Sequence, residues 1–303
     1  MNKKYKHSNR ESGPAHWAKI LCVGAFALML QACSGSSEES EETEMCGGRT
    51  MNNAEDECLS LDERESVVYK PQGQSYQGIA LFLHGKPGNM QKVMRIFDAK
   101  AIADKYNLLA LAPEGLNSVW AWESINKAGE DENIDLDYIN KLIAKVRADN
   151  QINSDKLYVL GYSAGGFMAY KMACQMPEKI TSIVSLAGQY RGDLDACTSS
   201  TGVNIHHFHN PEDKEVPYAG RANEKILSVE KSIELWRQKN GCSEEFETKQ
   251  EPGVIDASSK TVSKIYQGCV NSVVLSDMDN VPHEAGYSSN VLLDIYDYLL
   301  ETQ

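Results

Sequence analysis

Short apolar segments of strand length recur along the chain and alternate with longer segments whose apolar residues follow a helical period. The strand-like segments are rich in β-branched residues, and they are residues 78–83, 108–112, 157–160, 180–186, 203–208 and 272–275. Helical spacing is found in residues 90–106, 134–147, 164–176, 221–238 and 288–301. Because strands that alternate with helices form βαβ units, the pattern predicts an α/β fold with a mostly parallel sheet and helices on both of its faces.

The length and charge of the chain narrow its possible functions. The chain has 303 residues, of which 42% are hydrophobic, so it can bury a substantial core. An α/β fold of up to ~250 residues commonly forms a single domain. The formal net charge is −13, whereas proteins that bind nucleic acids bring clustered Lys and Arg to the phosphates. We therefore expect no nucleic-acid partner.

The N-terminus is typical of an export signal. Five basic residues precede an apolar run over residues 20–30, which is too short for the roughly 20 residues of a membrane-spanning helix. The next residues, Leu30-Gln31-Ala32-Cys33, resemble the bacterial lipobox, in which cleavage precedes a cysteine that receives lipid. The resemblance implies a lipoprotein signal peptide over residues 1–32 and a lipid anchor on Cys33. A plain secretory signal with an unrelated cysteine and a buried helix are the alternatives.

The segment that follows Cys33 is Ser-Gly-Ser-Ser-Glu-Glu-Ser-Glu-Glu-Thr-Glu, which has no side chain to bury in a core. We predict an acidic flexible tether over residues 33–45 and a folded domain over residues 46–303. Removal of residues 1–32, which carry five basic side chains and one acidic one, changes the net charge from −13 to −17. Because Ser34 rather than aspartate follows the lipidation site, we expect an exported lipoprotein of the cell envelope, at the outer membrane or cell surface.

Six cysteines remain beyond Cys33, and an even number in an exported chain indicates disulfides. Six cysteines allow 15 pairings. We expect the pairs of sequence neighbours, which close loops of 12, 23 and 27 residues and are Cys46–Cys58, Cys174–Cys197 and Cys242–Cys269. A zinc site is the alternative, but the chain has no Cys-x-x-Cys pair, so we expect no metal.

A serine flanked by glycines follows one of the predicted strands. The motif Gly161-Tyr162-Ser163-Ala164-Gly165 lies directly after an apolar strand and before a helix. A nucleophile elbow needs small residues on both sides of a strained strand-to-helix turn, which pushes the serine Oγ out of the sheet. Ser163 is therefore the candidate nucleophile. The alternative is a glycine-rich turn with an ordinary capping serine.

The serine needs a base and an acid, and after such an elbow the acid precedes the histidine along the chain. Among the histidines that follow Ser163, only His283 lies beyond the acidic loop that ends the strand at residues 203–208. Order therefore selects His283, and a surface histidine is the alternative. The loop offers three carboxylates, of which Asp213 is our choice and Glu212 the next. The acid would orient and stabilise the imidazolium.

An oxyanion hole needs two backbone N–H groups aimed at the developing charge. Ala164, directly after the nucleophile, is the first candidate, and Lys86, in the turn after strand 78–83, is the second. Substrate contacts tend to lie on loops. The weaker candidates are the two tryptophans of the loop at residues 117–133 and the tyrosine beside the nucleophile, namely Trp120, Trp122 and Tyr162. Packing anchors are the alternative for the tryptophans.

Residues 66–300 resemble the esterase family that comprises polyhydroxybutyrate depolymerases, feruloyl esterases and acetylxylan esterases. The similar motifs are Leu83-His84-Gly85, the stretch from Gly161 to Met168, and the stretch from His209 to Gly220. The resemblance implies an α/β-hydrolase fold, a triad of Ser163, Asp213 and His283, and no metal or organic cofactor. Where the family has glycines before its histidine and Trp-Pro after it, this chain has Val-Pro-His-Glu, so its pocket wall differs.

These features predict a lipid-anchored serine esterase with a single α/β-hydrolase domain. Its expected partner is an ester substrate, either acyl or feruloyl groups on a polysaccharide or a hydroxyalkanoate oligomer. A serine peptidase on the same fold is one alternative, and a non-catalytic surface-binding lipoprotein is another. Replacement of Ser163 by alanine distinguishes an enzyme from the second alternative.

Overall fold

The apolar segments of the chain form the interior strands of one large sheet. A computed structural model describes residues 44–73, 75–121, 134–194, 197–256 and 258–287. The strands in these ranges are β1 (Met45–Cys46), β2 (Arg49–Thr50), β3 (Asp56–Leu61), β4 (Arg64–Tyr69), β5 (Ile79–Leu83), β6 (Leu109–Pro113), β7 (Leu157–Tyr162), β8 (Ser182–Leu186), β9 (Asn204–His209), β10 (Phe246–Glu251), β11 (Lys260–Tyr266) and β12 (Val273–Asp279).

Ten of the described strands form one sheet in the order β10-β11-β12-β9-β8-β7-β5-β6-β4-β3, while β1 and β2 pair separately. The six inner strands, from β12 to β6, are parallel, and antiparallel strands flank them on both sides. These six are the strands that the apolar segments predict, because a strand covered on both faces is apolar along its whole length. The predicted α/β fold with a mostly parallel sheet is confirmed.

The described helices are α1 (Met90–Phe97), α2 (Ala99–Tyr106), α3 (Ile134–Asp149), α4 (Ala164–Gln175) and α5 (Val229–Lys239). The single helix predicted over residues 90–106 is wrong, since Asp98 adopts a left-handed conformation with φ of 48° and ends α1. The helix predicted from residue 221 begins only at Val229, where the side chain of Ser228 accepts a hydrogen bond from the Lys231 N–H. A short 3-10 turn precedes it.

Alternate residues of the inner strands pack against helices on opposite faces of the sheet. Along β5, Ile79, Leu81 and Leu83 join a core cluster that contains buried residues of α3, α4 and α5. Ala80 and Phe82 join a second cluster with residues of α1 and α2. This division follows from the two-residue period of a strand, and it confirms helices on both faces.

Several predictions concern residues outside the described ranges. They are the signal peptide over residues 1–32, Cys33, the tether as far as residue 43, the C-terminal helix at residues 288–301, and Trp122. Within the described ranges, the helices are too short or too polar to cross a bilayer.

Three disulfides connect the predicted pairs of cysteines. They are Cys46–Cys58, Cys174–Cys197 and Cys242–Cys269. The first joins the β1 strand to β3, and the second joins α4 to the segment between β8 and β9. The predicted pairing is confirmed, and bonded sulfurs are not ligands for a metal.

β9 buries histidines on both faces of the sheet, and His206 lies on the face opposite to His207 and His209. Its Nε2 lies 2.8 Å from Ser276 Oγ, and its ring stacks on that of Phe208. Burial, with a smaller contribution from a lysine charge, lowers the pKa of His206 to about 3. The ring therefore stays neutral in the folded protein at pH values at which an unfolded chain would protonate it.

We expect His206 to make the fold sensitive to acid. Between a pH of about 6.5 and about 3 the unfolded chain binds a proton at this residue that the folded protein does not bind. The free energy of unfolding therefore falls with falling pH, by up to about 1.4 kcal/mol per pH unit. Urea denaturation of wild type and His206→Gln from about pH 7 to about pH 4 should favour the variant progressively as the pH falls. A difference that stays constant with pH contradicts this prediction.

Candidate active site

Ser163 occupies a sharp turn between β7 and α4, at the carboxyl edge of the parallel strands. Its φ is 52° and its ψ is −116°, a conformation that non-glycine residues rarely adopt and that costs about 1–3 kcal/mol. The turn requires glycine nearby. A Cβ on Gly161 would lie 2.1 Å from the carbonyl oxygen of Gly165, and a Cβ on Gly165 would lie 1.9 Å from that of Leu83. These close approaches are the physical reason for the glycines around the serine.

The side chains of Ser163, His283 and Asp213 form a continuous hydrogen-bonded line. His283 Nε2 lies 2.9 Å from Ser163 Oγ, and His283 Nδ1 lies 2.7 Å from Asp213 Oδ2. A carboxylate only accepts hydrogen bonds, so Nδ1 of His283 carries the proton. Nε2 of the neutral ring is then free to accept the serine proton. The three residues are 50 and 70 positions apart in sequence, and the sheet topology brings them together.

Asp213 is held as a carboxylate by the loop after β9. Its Oδ1 accepts hydrogen bonds from the backbone N–H groups of Glu215, at 2.8 Å, and Val216, at 3.0 Å. Burial alone would raise the pKa of Asp213, but the hydrogen bonds from His283 and Val216 outweigh burial and hold that pKa below its ordinary value. The carboxyl group is therefore ionised at neutral pH.

Glu212, the second candidate from the sequence, and Asp277, near the end of β12, have other hydrogen-bond partners. Glu212 is exposed, and its backbone N–H donates to the Asn210 side chain. Asp277 accepts a hydrogen bond from the Tyr218 hydroxyl at 2.7 Å and pairs with Lys264. Among the acids considered from the sequence, the structure brings only Asp213 to the histidine.

The loop that bears His283 is hydrogen-bonded to the end of β7 and to the loop after β9. The Tyr162 hydroxyl donates to the His283 carbonyl oxygen at 2.9 Å, and the Asn210 side chain donates to the Val281 carbonyl oxygen at 2.7 Å. The Tyr162 side chain, expected from the sequence as a substrate contact, is only 4% exposed. Its hydroxyl contacts the loop that bears His283. The structure therefore gives Tyr162 a role in orienting His283 and not in contacting a substrate.

The first predicted oxyanion donor, the backbone N–H of Ala164, directly follows the serine. Ala164 is the first residue of α4, so its N–H has no acceptor within the helix, and the positive end of the helix dipole points the same way. The loop after β5 passes close to the serine, and a Cβ on Gly85 would lie only 3.2 Å from Ser163 Cβ. Lys86 follows directly. The loop that carries Lys86 thus lies close to the serine, and the role of the Lys86 N–H as an oxyanion donor stays a prediction.

The side chains of His84 and Trp120 hold the loop after β5 in place by hydrogen bonds to its backbone. Trp120 Nε1–H donates to the His84 carbonyl oxygen at 2.8 Å, and the Gly115 N–H donates to His84 Nε2 at 3.0 Å. His84 Nδ1 therefore carries the proton and donates to the Gly85 carbonyl oxygen. Trp120 is only 2% exposed. Its burial corrects the expectation that it stacks on a substrate, and gives it the role of a packing anchor.

Sequence reasoning missed one neighbour of the acid. His209 ends β9, and its Nε2 lies 3.6 Å from Asp213 Oδ2 with both side chains fully buried. The available signal was the spacing, a histidine four residues before the acid at the end of an apolar strand.

A parallel sheet with a serine, an aspartate and a histidine at its carboxyl edge, in this order along the chain, defines the class of α/β-hydrolases. The comparison with known families agrees. The chain belongs to the phospholipase/carboxylesterase family of this class, whose sequence profile matches residues 66–241. It is therefore a carboxylic ester hydrolase.

Individual relatives are distant. A protein of Aspergillus terreus named "Probable feruloyl esterase C" is 26% identical over 247 residues, which are 75% of this chain and 78% of that protein. Feruloyl esterase C of Emericella nidulans is 26% identical over 208 residues, 63% of this chain and 67% of that protein. The solved acetyl xylan esterase of Aspergillus awamori superposes with a TM-score of 0.58 at 12% identity, covering 81% of this chain and 98% of that one. This last likeness shows the fold.

Proposed function

We propose that the protein hydrolyses carboxylic esters through an acyl-enzyme on Ser163. The observation that carries the proposal is the hydrogen-bonded line from Asp213 through His283 to Ser163. Ser163 Oγ attacks the ester carbonyl carbon while its proton passes to His283 Nε2, and Asp213 stabilises the resulting imidazolium. The imidazolium then protonates the leaving alcohol as the C–O bond breaks.

Water completes the reaction. His283 removes a proton from a water molecule, whose oxygen attacks the acyl carbon, and the proton returns to Ser163 Oγ as the carboxylic acid leaves. In both steps the negative carbonyl oxygen faces the N–H groups of Ala164 and Lys86, which act as the oxyanion hole. Because the triad and these donors supply nucleophile, base and charge stabilisation, the mechanism uses this chain's own side chains and backbone throughout.

We further propose that the substrate is an ester of a feruloyl or small acyl group on a polysaccharide. Support comes from the feruloyl esterase relatives, whose alignments extend over most of the hydrolase domain. Hydroxyalkanoate oligomers are the other substrate considered from the sequence.

A panel of esters tests the function and ranks the acyl groups. The mature protein with its disulfides intact should hydrolyse p-nitrophenyl acetate, p-nitrophenyl butyrate and methyl ferulate, and release acetate from acetylated xylan. A hydroxybutyrate oligomer and a peptide p-nitroanilide complete the panel. Hydrolysis of the anilide alone would replace the esterase with a peptidase. A folded protein that cleaves none of these compounds would refute the proposed reaction.

The export and anchoring of the protein are a separate proposal. The lipobox-like sequence before Cys33 supports cleavage and lipidation at that residue, and the acidic tether supports display of the domain away from the lipid surface of the envelope. Expressed in a bacterium fed labelled palmitate, the wild type should carry the label and fractionate with membranes, whereas Cys33→Ser should lose both properties. Equal labelling of the two proteins would exclude Cys33 as the anchor.

A further inference from the structure

A line of buried polar groups leads to the acid from α4. The Tyr170 hydroxyl lies 3.1 Å from His207 Nδ1, and His207 Nε2 lies 3.2 Å from His209 Nδ1. His209 Nε2 lies 2.8 Å from the carbonyl oxygen of Val216. The line thus runs from the middle of α4 through the end of β9 to the loop that holds Asp213, and the mechanism above does not use it.

The far end of the line fixes the direction of every hydrogen bond in it. A carbonyl oxygen only accepts, so His209 Nε2 carries a proton. Burial lowers the pKa of both His207 and His209, so both rings are neutral near neutral pH. His209 Nδ1 is then an acceptor, which requires the proton of His207 on Nε2. His207 Nδ1 in turn accepts from the Tyr170 hydroxyl.

The line reaches the acid in two ways, through the backbone of one residue, Val216, and by a direct approach of His209. Val216 accepts from His209 at its carbonyl oxygen and donates at its N–H to Asp213 Oδ1. The same His209 N–H lies 3.6 Å from Asp213 Oδ2, the oxygen that accepts from His283. The partial positive charge of this N–H group therefore lies close to the carboxylate oxygen that holds the catalytic imidazole. His209 therefore acts on both oxygens of the acid, on Oδ1 through Val216 and on Oδ2 by its own proximity.

We propose that His209, set in its Nε2–H tautomer by His207 and Tyr170, is a positioning residue that orients the Asp213 carboxylate toward His283. The proposal rests on the proposed triad function. Its energetic reason is that a displacement of about 1 Å at a catalytic group can cost about 10²-fold in rate. With the opposite tautomer, His209 would turn a lone pair toward both the Val216 carbonyl oxygen and the carboxylate, and the loop would move away.

A histidine that merely fills the core would make the same contacts with no effect on the chemistry. The two roles differ in what a substitution changes. Loss of packing lowers the thermal midpoint of unfolding and leaves the kcat of the folded fraction intact. Loss of positioning lowers kcat with KM nearly unchanged, and a side chain that restores the N–H restores kcat.

The first measurement reads the tautomers directly. Long-range proton–nitrogen correlation spectra of protein labelled with ¹⁵N-histidine distinguish a protonated Nε2 from a protonated Nδ1. We expect His207 and His209 both to carry the proton on Nε2, and Tyr170→Phe to disturb the nitrogen shifts of both rings. A wild-type His209 protonated on Nδ1 would overturn the proposal, whatever the activity of the protein.

The second measurement compares kinetics in matched variants. His209→Phe keeps the ring volume and removes both nitrogens, so kcat should fall about 10- to 100-fold with KM within about twofold. His209→Gln offers an N–H near the Nε2 position and should recover most of that loss. His206→Gln, a buried substitution on the same strand but the opposite face, is the control and should keep the wild-type kcat. Folded fractions are measured by near-ultraviolet circular dichroism.

Tyr170→Phe decides the question if His209→Phe does not fold, because it deletes only the one oxygen that contacts His207. We expect a threefold to tenfold decrease in kcat for Tyr170→Phe, with KM unchanged. Wild-type kcat in folded His209→Phe, or in Tyr170→Phe when the first variant is unfolded, would overturn the proposal. The two failures are distinguishable: a wild type without hydrolysis that depends on Ser163 removes the proposed function, whereas an active wild type with unaffected variants removes only the positioning role.

Discussion

Ser163→Ala should lower kcat/KM for p-nitrophenyl butyrate by about 10⁴-fold or more. The variant lacks the oxygen that forms the acyl-enzyme, so only the oxyanion donors and the bound geometry remain to assist attack by water. The methyl side chain fits where the serine stood, because the elbow is held by glycines and by the hydrogen bond from the Ser163 N–H to the Leu186 carbonyl oxygen. We therefore expect an unchanged circular dichroism spectrum.

Ser182→Ala is the matched control for this substitution. Ser182 is also a buried serine of the parallel sheet, in β8, and among the described residues its Oγ has no hydrogen-bond partner. Its replacement should leave kcat/KM within about twofold, because it alters neither the charge nor the contacts of the triad. Comparable hydrolysis by folded Ser163→Ala and wild type would exclude Ser163 as the nucleophile and favour a binding protein.

A fluorophosphonate provides a second reading that does not depend on the choice of ester. Attack by Ser163 Oγ forms a phosphorus–oxygen bond and releases fluoride, while His283 takes the serine proton. The wild type should gain the mass of one phosphonyl group, located on the peptide that contains Ser163, and Ser163→Ala should gain none. Labelling of another residue would redirect the search for the nucleophile.

The sequence predicts the inner sheet well because burial and hydrophobicity coincide there. β5, β7 and β8 are buried at every position, so their apolar runs stand out. At the edges this relation fails. The sequence of β10 shows no clear alternation of polar and apolar residues. This strand is recognisable only through its antiparallel pairing with β11, which is a non-local interaction.

Local backbone geometry accounts for the errors in the helices. Residues 90–106 keep a helical spacing of apolar side chains through the break at Asp98, because α1 and α2 both pack on the same core cluster. The left-handed conformation of Asp98 lets its N–H bond to the carbonyl oxygens of the last turn of α1. The periodicity of apolar residues indicates which face of a helix is buried. It does not reveal a single residue whose backbone conformation ends one helix and begins the next.

The sequence allows the residues of the candidate site to be predicted where their order along the chain limits the choice. The elbow motif and the order of acid and histidine select Ser163 and His283, the acidic loop after β9 offers Asp213, and the family resemblance implies the same three residues. Their catalytic roles stay predictions. The supporting contacts were not accessible, since the Tyr162 hydroxyl reaches a carbonyl 121 residues away, and the line from Tyr170 to His209 joins a helix to a strand.

Asp213→Asn should lower kcat at neutral pH by about 10³- to 10⁴-fold with little change in KM. The amide of asparagine has one acceptor and one donor end, and the surroundings dictate how it lies. Two backbone N–H groups, from Glu215 and Val216, point at Oδ1, so the amide oxygen takes that place. The NH₂ group then occupies the place of Oδ2 and donates to His283 Nδ1.

That hydrogen bond selects the wrong tautomer of the base. If His283 Nδ1 accepts, the neutral ring carries its proton on Nε2, and Nε2–H then donates to Ser163 Oγ instead of accepting the serine proton. The NH₂ group also faces His209 Nε2–H, which lies 3.6 Å from Asp213 Oδ2 in the wild type. The substitution therefore disables the base while it keeps the shape of the side chain.

Glu212→Gln is the control that separates this mechanism from a loss of charge. Both substitutions replace one carboxylate of the same loop by its amide, but Glu212 is exposed and Asp213 is buried against the histidine. We expect near wild-type kcat for Glu212→Gln, measured on the same ester at the same pH. If the decrease appeared in Glu212→Gln instead, the acid of the triad would be Glu212. If both variants kept wild-type kcat, His283 would act without an acid, and the low pKa of Asp213 would be only a consequence of its hydrogen bonds.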